Sequence, residues 1–327
     1  MPAETAAAGQ LGACLAAYGG AGLAAALDGV TAAGLCLVDL PTDSTLRLAD
    51  FRTLADPAER RALAQRLRRA GIVVGCVSNS RDSQLILGPH GPHTDPVLAG
   101  DTAAKRAHGL AAAQVSIELA AELGAPSVRL MLGCPDHSLW LDWWGSDRGW
   151  QDNLDAWVTA ATPLVRQAAR AGVRVLVEPH PKQVCYDPLS IAALLATAEQ
   201  AGVAPGLCLD PANVAAVGHD PVELLRGWGP ALAAVHVKDL QRWTGTGRPP
   251  GSGWSRYGPQ PHIRFRTMGN GELPWPAMVA ALQDEGFTGP LYVEHEDTLI
   301  PRGQGISLAA TRLRELRPAH APEGRTW

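Results

Sequence analysis

The chain has 327 residues, 46% of them hydrophobic and 18% charged, with a formal net charge of -4; that composition supplies a sizeable core and carries too little charge for a disordered chain. It lacks the dense basic run of a nucleic-acid partner, an apolar stretch near the ~20 residues of a membrane span and the basic N-terminal region of a signal peptide, so a soluble, cytoplasmic protein is expected. Six scattered cysteines without CxxC spacing argue against a zinc ribbon or a disulfide framework, and ten Trp stand against only three Phe.

Residues 1–10 read as a loose terminus. Apolar runs then recur at 11–18, 34–40, 72–78, 127–132, 173–178, 206–210, 232–238 and 290–294, eight in all. Helical segments separate them. Asp56-Pro57 opens a helix that ends before Gly71, and 101–123 carries apolar residues at 110, 113, 117 and 120 before a stop at Gly124. Segments 152–171, 188–201 and 274–285 read the same way. Strands apolar on both faces, alternating with helices, argue for a parallel sheet covered by helices. Eight such units predict one (β/α)8 TIM barrel over residues 11–317, with 318–327 as a second flexible terminus. A doubly wound open sheet would need a GxGxxG turn after its first strand, and Tyr18-Gly19-Gly20-Ala21-Gly22 lacks that spacing. Long loops follow strand three (79–100), strand four (133–153) and strand seven (239–273). In a barrel all three crowd the rim formed by the strand C-termini, where function is carried.

Polar residues interrupt the last four runs near their ends: Glu178, Asp210, His236 and Glu294. Taken singly, Asp210 before Pro211 reads as a turn former and His236 as a core histidine. Taken together they place three carboxylates and an imidazole around one mouth, where they repel one another unless a divalent cation sits among them. An O3N donor set suits Mn, Mg or Co better than a thiolate-seeking metal.

Five segments carry a family resemblance: Glu178-Pro179-His180, Leu209-Asp210-Pro211-Ala212-Asn213, His236-Val237-Lys238-Asp239, Gly269-Asn270-Gly271-Glu272-Leu273-Pro274-Trp275 and Val293-Glu294-His295-Glu296-Asp297. They resemble the xylose isomerase-like TIM-barrel superfamily, which includes sugar phosphate isomerases and epimerases, ketose 3-epimerases, inosose dehydratases and the α subunits of C-glycoside deglycosidases. The resemblance implies that Glu178, Asp210, His236 and Glu294 bind one divalent metal, commonly Mn, and that a sugar isomerase or epimerase acts by proton abstraction beside a carbonyl. A metal holding a carbonyl oxygen stabilises the enediolate that results. Reprotonation then gives an isomer or epimer, and expulsion of a β-substituent gives a lyase product.

The chain departs from the ketose 3-epimerase pattern, in which a Pro, a short side chain and Asn-Arg follow the first ligand. Its Glu178-Pro179-His180-Pro181-Lys182 looks closer to the dehydratase and deglycosidase branches. The alternative reading is therefore a lyase: β-elimination of the aglycone from a 3-keto C-glycoside, with a small β-rich partner subunit, or an inosose-type dehydration. A noncatalytic carbohydrate-binding barrel is the alternative of another class, and retention of all four ligands argues against it.

His180 lies two residues beyond Glu178, on the same face if the strand continues, and titrates in the range of a general base. Glu178 and Glu294 are the other candidate catalytic groups. Lys238, Arg264 and Arg266 can hold a substrate hydroxyl, carboxylate or phosphate, and Asn213 and His93 are further candidate substrate contacts. Trp140, Trp143, Trp144 and Trp150 crowd the fourth loop, and Trp243, Trp254 and Tyr257 the seventh. They suit a flat wall for a sugar ring or aromatic aglycone, with Trp144 as the named wall residue, or a subunit interface in a homo-oligomer.

Overall fold

The computed structural model describes residues 10–141, 143–243, 245 and 262–316. The termini 1–9 and 317–327, together with Trp254 and Tyr257, lie outside the described residues.

Among the described residues ten strands form: β1 (Leu11–Cys14), β2 (Leu37–Pro41), β3 (Val73–Asn79), β4 (Ser127–Leu130), β5 (Arg174–Val177), β6 (Gly206–Leu209), β7 (Leu232–Val237), β8 (Asp239–Arg242), β9 (Ile263–Arg266) and β10 (Leu291–Val293). Strands β8 and β9 pair as an antiparallel hairpin, and the other eight close into one parallel barrel in the order β1-β10-β7-β6-β5-β4-β3-β2. The protein is a single (β/α)8 barrel. Its strands are short and apolar because helices cover the outer face while side chains fill the inside.

The helices start where side-chain caps satisfy the free N–H groups of the first turn. Asp56 accepts from the Ala58 N–H at 2.8 Å ahead of Pro57–Arg69. Asp101 accepts from the Ala104 N–H at 2.8 Å ahead of Thr102–Leu123, which stops at Gly124 with φ of 68°. Helices Trp150–Arg170, Pro188–Gln200 and Trp275–Asp284 occupy the expected places. Helices Leu23–Ala32 and Arg302–Leu316 also form; glycines at 29, 303 and 305 weaken their helical signature in the sequence. Among the described residues no helix is long and apolar enough to cross a membrane.

Two segments differ from expectation. The first apolar run extends only to Cys14 as strand and continues as a 3-10 turn, Leu15–Tyr18, because its alanines have weak strand preference. The seventh loop carries the β8–β9 hairpin. Asp239 anchors it by accepting N–H groups from Leu240 at 2.8 Å, Gly269 at 2.8 Å and Leu273 at 3.0 Å.

Inside the barrel, Leu37, Cys76, Leu176, Cys208, Ala234 and Tyr292 pack as a separate buried cluster. This plug dictates what lies above it. Side chains in a strand repeat every two residues, so one step up from these six come Asp39, Ser78, Glu178, Asp210, His236 and Glu294. Tyr292 fits because Gly12 and Gly75 face it: a Cβ on Gly12 would lie 2.9 Å from the Tyr292 ring and 2.7 Å from the Leu37 carbonyl oxygen. The backbone oxygen cannot move aside. Gly12→Ala is therefore expected to destabilise the barrel by about 1–3 kcal/mol, the usual cost of overpacking, whereas Tyr292→Phe, which removes a buried hydroxyl without a hydrogen-bond partner, is expected to hold or raise stability. Urea denaturation of the two variants checks this.

Candidate metal centre

Glu178 and Asp210 stand just past the ends of β5 and β6, His236 lies within β7, and Glu294 follows β10. Each offers one ligand atom, and these four atoms all lie within 4.8 Å of one another. Donors about 2.0–2.6 Å from a common centre have separations of this size.

The sequence folds each of the four side chains into a defined pose. Glu178 Oε2 forms a close ion pair with the Arg129 guanidinium, and its Oε1 accepts from Asn213 Nδ2 at 3.1 Å. Asp210 caps the short helix Pro211–Ala216 through Oδ1, which accepts the Ala212 N–H at 2.9 Å and the Asn213 N–H at 3.4 Å. Its Oδ2 points to the centre. Lys238 Nζ lies 2.7 Å from Asp210 Oδ2, 2.8 Å from Glu294 Oε2 and 3.1 Å from Glu296 Oε2, and 4.3 Å from the centroid of the Phe265 ring.

The donors fit a hard divalent cation. Asp210 Oδ2 and both ring nitrogens of His236 are buried without a hydrogen bond; the Lys238 contact to Asp210 is an ion pair outside hydrogen-bond alignment. Buried polar atoms are rarely left so, and a cation at the centre would engage Asp210 Oδ2 and one ring nitrogen of His236 at once. Three carboxylate oxygens and one imidazole nitrogen match Mg, Mn or Co chemistry.

Electrostatics record the crowding. Burial acts to raise the Glu178 carboxyl, but Arg129 and His236 outweigh it and hold the group at about 2. Asp210 is pushed up to about 7 by burial, against the pull of Lys238. Burial takes His180 down to about 4, so its imidazole is neutral near pH 7. Its Nδ1 accepts the Lys182 N–H at 3.0 Å. A neutral ring held that way carries its proton on Nε2, and a base role at Nδ1 would require release from Lys182.

A cavity of ≈ 260 Å³ opens above the centre. Glu178, Glu294, His180, Lys238 and Asn213 line one side; Asp43, Ser80, Arg81 and Gln84 line another, with Arg129, Met131 and Phe265 among the remaining walls. Asp43 is buried, which raises its carboxyl to about 6 against the backbone N–H groups of Arg81 and Ser80.

The structure thus brings His180, Lys238 and Asn213 to the ligand set and places the other candidates elsewhere. Arg266 is tied to Asp297 at 3.1 Å and Gln241 at 2.7 Å, away from the cavity lining. Arg264 is exposed on β9. His93 donates from Nε2 to the Pro89 carbonyl at 3.1 Å within a loop that the buried Lys105 ties down through Gly91, Thr94 and Asp95. Trp144 is 89% exposed and is not among the lining residues. Trp140 stacks on Tyr186 with centroids 5.8 Å apart.

Sequence reasoning missed Asp39, Arg129 and Asp43. The first two carried a usable signal: each is a charge inside a mostly apolar run, two residues beyond Leu37 in one case and beyond Ser127, the register partner of Cys76, in the other.

The sequence profile of a family described as "Xylose isomerase-like TIM barrel" matches residues 27–316. No curated protein matches the chain in sequence. Among solved structures, the chain is similar to a xylose isomerase-like TIM barrel protein from Mycobacterium smegmatis in complex with magnesium, at 15% identity over 96% of this chain and 98% of that one, with a TM-score of 0.67. It is similar to the 3-keto-D-glucoside 4-epimerase of E. coli, at 14% identity over 94% and 99%, TM-score 0.66. A xylose isomerase domain protein from Planctomyces limnophilus gives 22% identity over 89% and 92%, TM-score 0.64.

Arg129 is 3% exposed and holds both Asp39 and Glu178. Arg129→Met strands two buried carboxylates, so without added metal it is expected to cost about 3–5 kcal/mol of stability, as broken buried pairs do. Arg129→Lys should not restore it, since one ammonium cannot span both partners as the planar fork does. Denaturation midpoints of the two variants in chelator test this.

Proposed function

Since the chain belongs to the xylose isomerase-like TIM-barrel family, we propose that it is a divalent-metal-dependent sugar isomerase or epimerase that takes a proton from the carbon beside a carbonyl of a small carbohydrate. The observation that carries this reading is the convergence of Glu178, Asp210, His236 and Glu294 within 4.8 Å of one another, with Glu178 and Glu294 also lining a cavity. Glu178, Asp210, His236 and Glu294 hold the metal, with Mn favoured and Mg or Co as alternatives. When bound, the cation polarises the substrate carbonyl as a Lewis acid.

The protein's own groups do the rest. The ≈ 260 Å³ volume falls below the ~300–1,000 Å³ of pockets for drug-sized ligands, which supports a single sugar ring or open-chain polyol. Glu178 has both oxygens engaged by Arg129 and Asn213, so proton transfer is assigned to Glu294. His180, with Nδ1 committed to Lys182, is assigned as a donor through Nε2–H to a substrate oxygen, where it steadies developing negative charge. Lys238 keeps the Glu294 carboxylate ionised and oriented at 2.8 Å. Asp43, Arg81 and Gln84 offer hydrogen bonds to the substrate's remaining hydroxyls.

The test is incubation with a panel of keto sugars in deuterated buffer with Mn. Deuterium is expected at the carbon beside the carbonyl. Glu294→Gln is expected to lower exchange about 10²–10⁴-fold, the usual range for losing a proton-transfer group, with the far-ultraviolet spectrum unchanged. His180→Asn is expected to slow exchange while metal uptake persists. Absence of exchange with every sugar would defeat the reading, and release of water or an aglycone in place of exchange would move the protein to the lyases.

A further inference from the structure

Asp39 is not a ligand, yet it stands on the same inward series, two residues above Leu37 of the barrel plug, and is 0% exposed. Its Oδ1 takes a short hydrogen bond from the Ser78 hydroxyl. Its Oδ2 accepts from Arg129 Nη2 at 3.2 Å and faces His236 Nε2 at 3.6 Å. The other imidazole nitrogen, Nδ1, faces Glu178 Oε1 at 3.6 Å and Glu294 Oε2 at 3.4 Å.

A neutral imidazole has one bare nitrogen and one N–H, and only the bare one can bind a metal. The partner opposite the remaining nitrogen decides which is which. Here a fixed carboxylate faces Nε2 while Nδ1 faces the other ligands. At 3.6 Å the Asp39 oxygen stands just beyond hydrogen-bond range of Nε2. Arg129 joins the two sides of the arrangement, because the same guanidinium binds Asp39 and Glu178.

We infer that Asp39 is a positioning residue for the metal centre: its carboxylate, held by Ser78 and Arg129, accepts the Nε2 proton of His236 and leaves Nδ1 bare toward Glu178 and Glu294. The inference rests on the metal-binding reading above. A mere counterion for Arg129 would leave the proton position of the His236 ring unchanged, whereas a tautomer-setting carboxylate fixes that position and the metal affinity with it.

The experiment uses the full chain labelled with ¹⁵N-histidine and titrated with Mn²⁺ for affinity and Mg²⁺ for NMR. In the Mg²⁺-loaded wild type, the His236 signals are expected to show Nε2 protonated and Nδ1 unprotonated. Asp39→Asn is expected to weaken Mn²⁺ binding about 10–100-fold, the range typical for losing a hydrogen-bond partner of a metal-binding His. Ser78→Ala, which loosens Asp39 without altering its charge, is expected to give a smaller loss in the same direction, and it decides the matter if Asp39→Asn does not fold. Wild-type affinity in the folded variants, or a proton on Nδ1 in the loaded wild type, overturns the inference alone. A wild type that takes up neither metal overturns the metal reading and the inference with it.

Discussion

Buried negative charge at the barrel mouth is the constraint on which the rest depends. Asp39, Glu178, Asp210 and Glu294 lie within one small region, with Arg129 and Lys238 as the buried cations beside them. With all four carboxylates ionised and His236 neutral, two negative charges are left over, the complement of one divalent ion. Taking uncompensated charge out of water is expensive, and the strain is visible in Asp210, which burial raises to about 7. The cavity chemistry, the poise of His236 and the roles of Arg129 and Lys238 all follow from how that excess is balanced.

The fold produces the cluster by simple alternation. A plug of Leu37, Cys76, Leu176, Cys208, Ala234 and Tyr292 seals the barrel interior, and the next inward residue on each of those strands is polar. Each of these polar residues is therefore backed by packed apolar side chains from strands fixed in register. Placing the site on strand ends rather than on the long loops gives it the rigidity that a metal geometry needs. The loops contribute the outer walls: Asp43, Arg81 and Gln84 from one side, and Phe265 of the β8–β9 hairpin from another.

Much of this was legible in the sequence. Eight apolar runs separated by capped helices predict the barrel, and the polar residues near the ends of the last four runs are the four side chains that the structure gathers within 4.8 Å of one another. The supports were harder to see. Asp39 and Arg129 interrupt strands of the first half of the barrel, where no family motif draws attention to them, and their meaning comes from a partner 90 residues away along the chain. The tryptophans misdirected attention for a related reason: composition locates Trp144 in a loop on the correct rim, but only the fold reveals that its ring stands 89% exposed. Arg266 looked available because it sits late in the long seventh loop, while its true partner, Asp297, belongs to the segment after β10.

The central claim, that these four residues make one divalent-metal site, is tested most directly by equilibrium titration of chelator-treated protein with Mn²⁺, read by calorimetry and by the loss of the free-ion electron paramagnetic resonance signal. One ion per chain, abolished in folded Asp210→Asn and undisturbed in Arg264→Ala, is the predicted result. No saturable uptake, or uptake that survives Asp210→Asn at full affinity, would contradict the account.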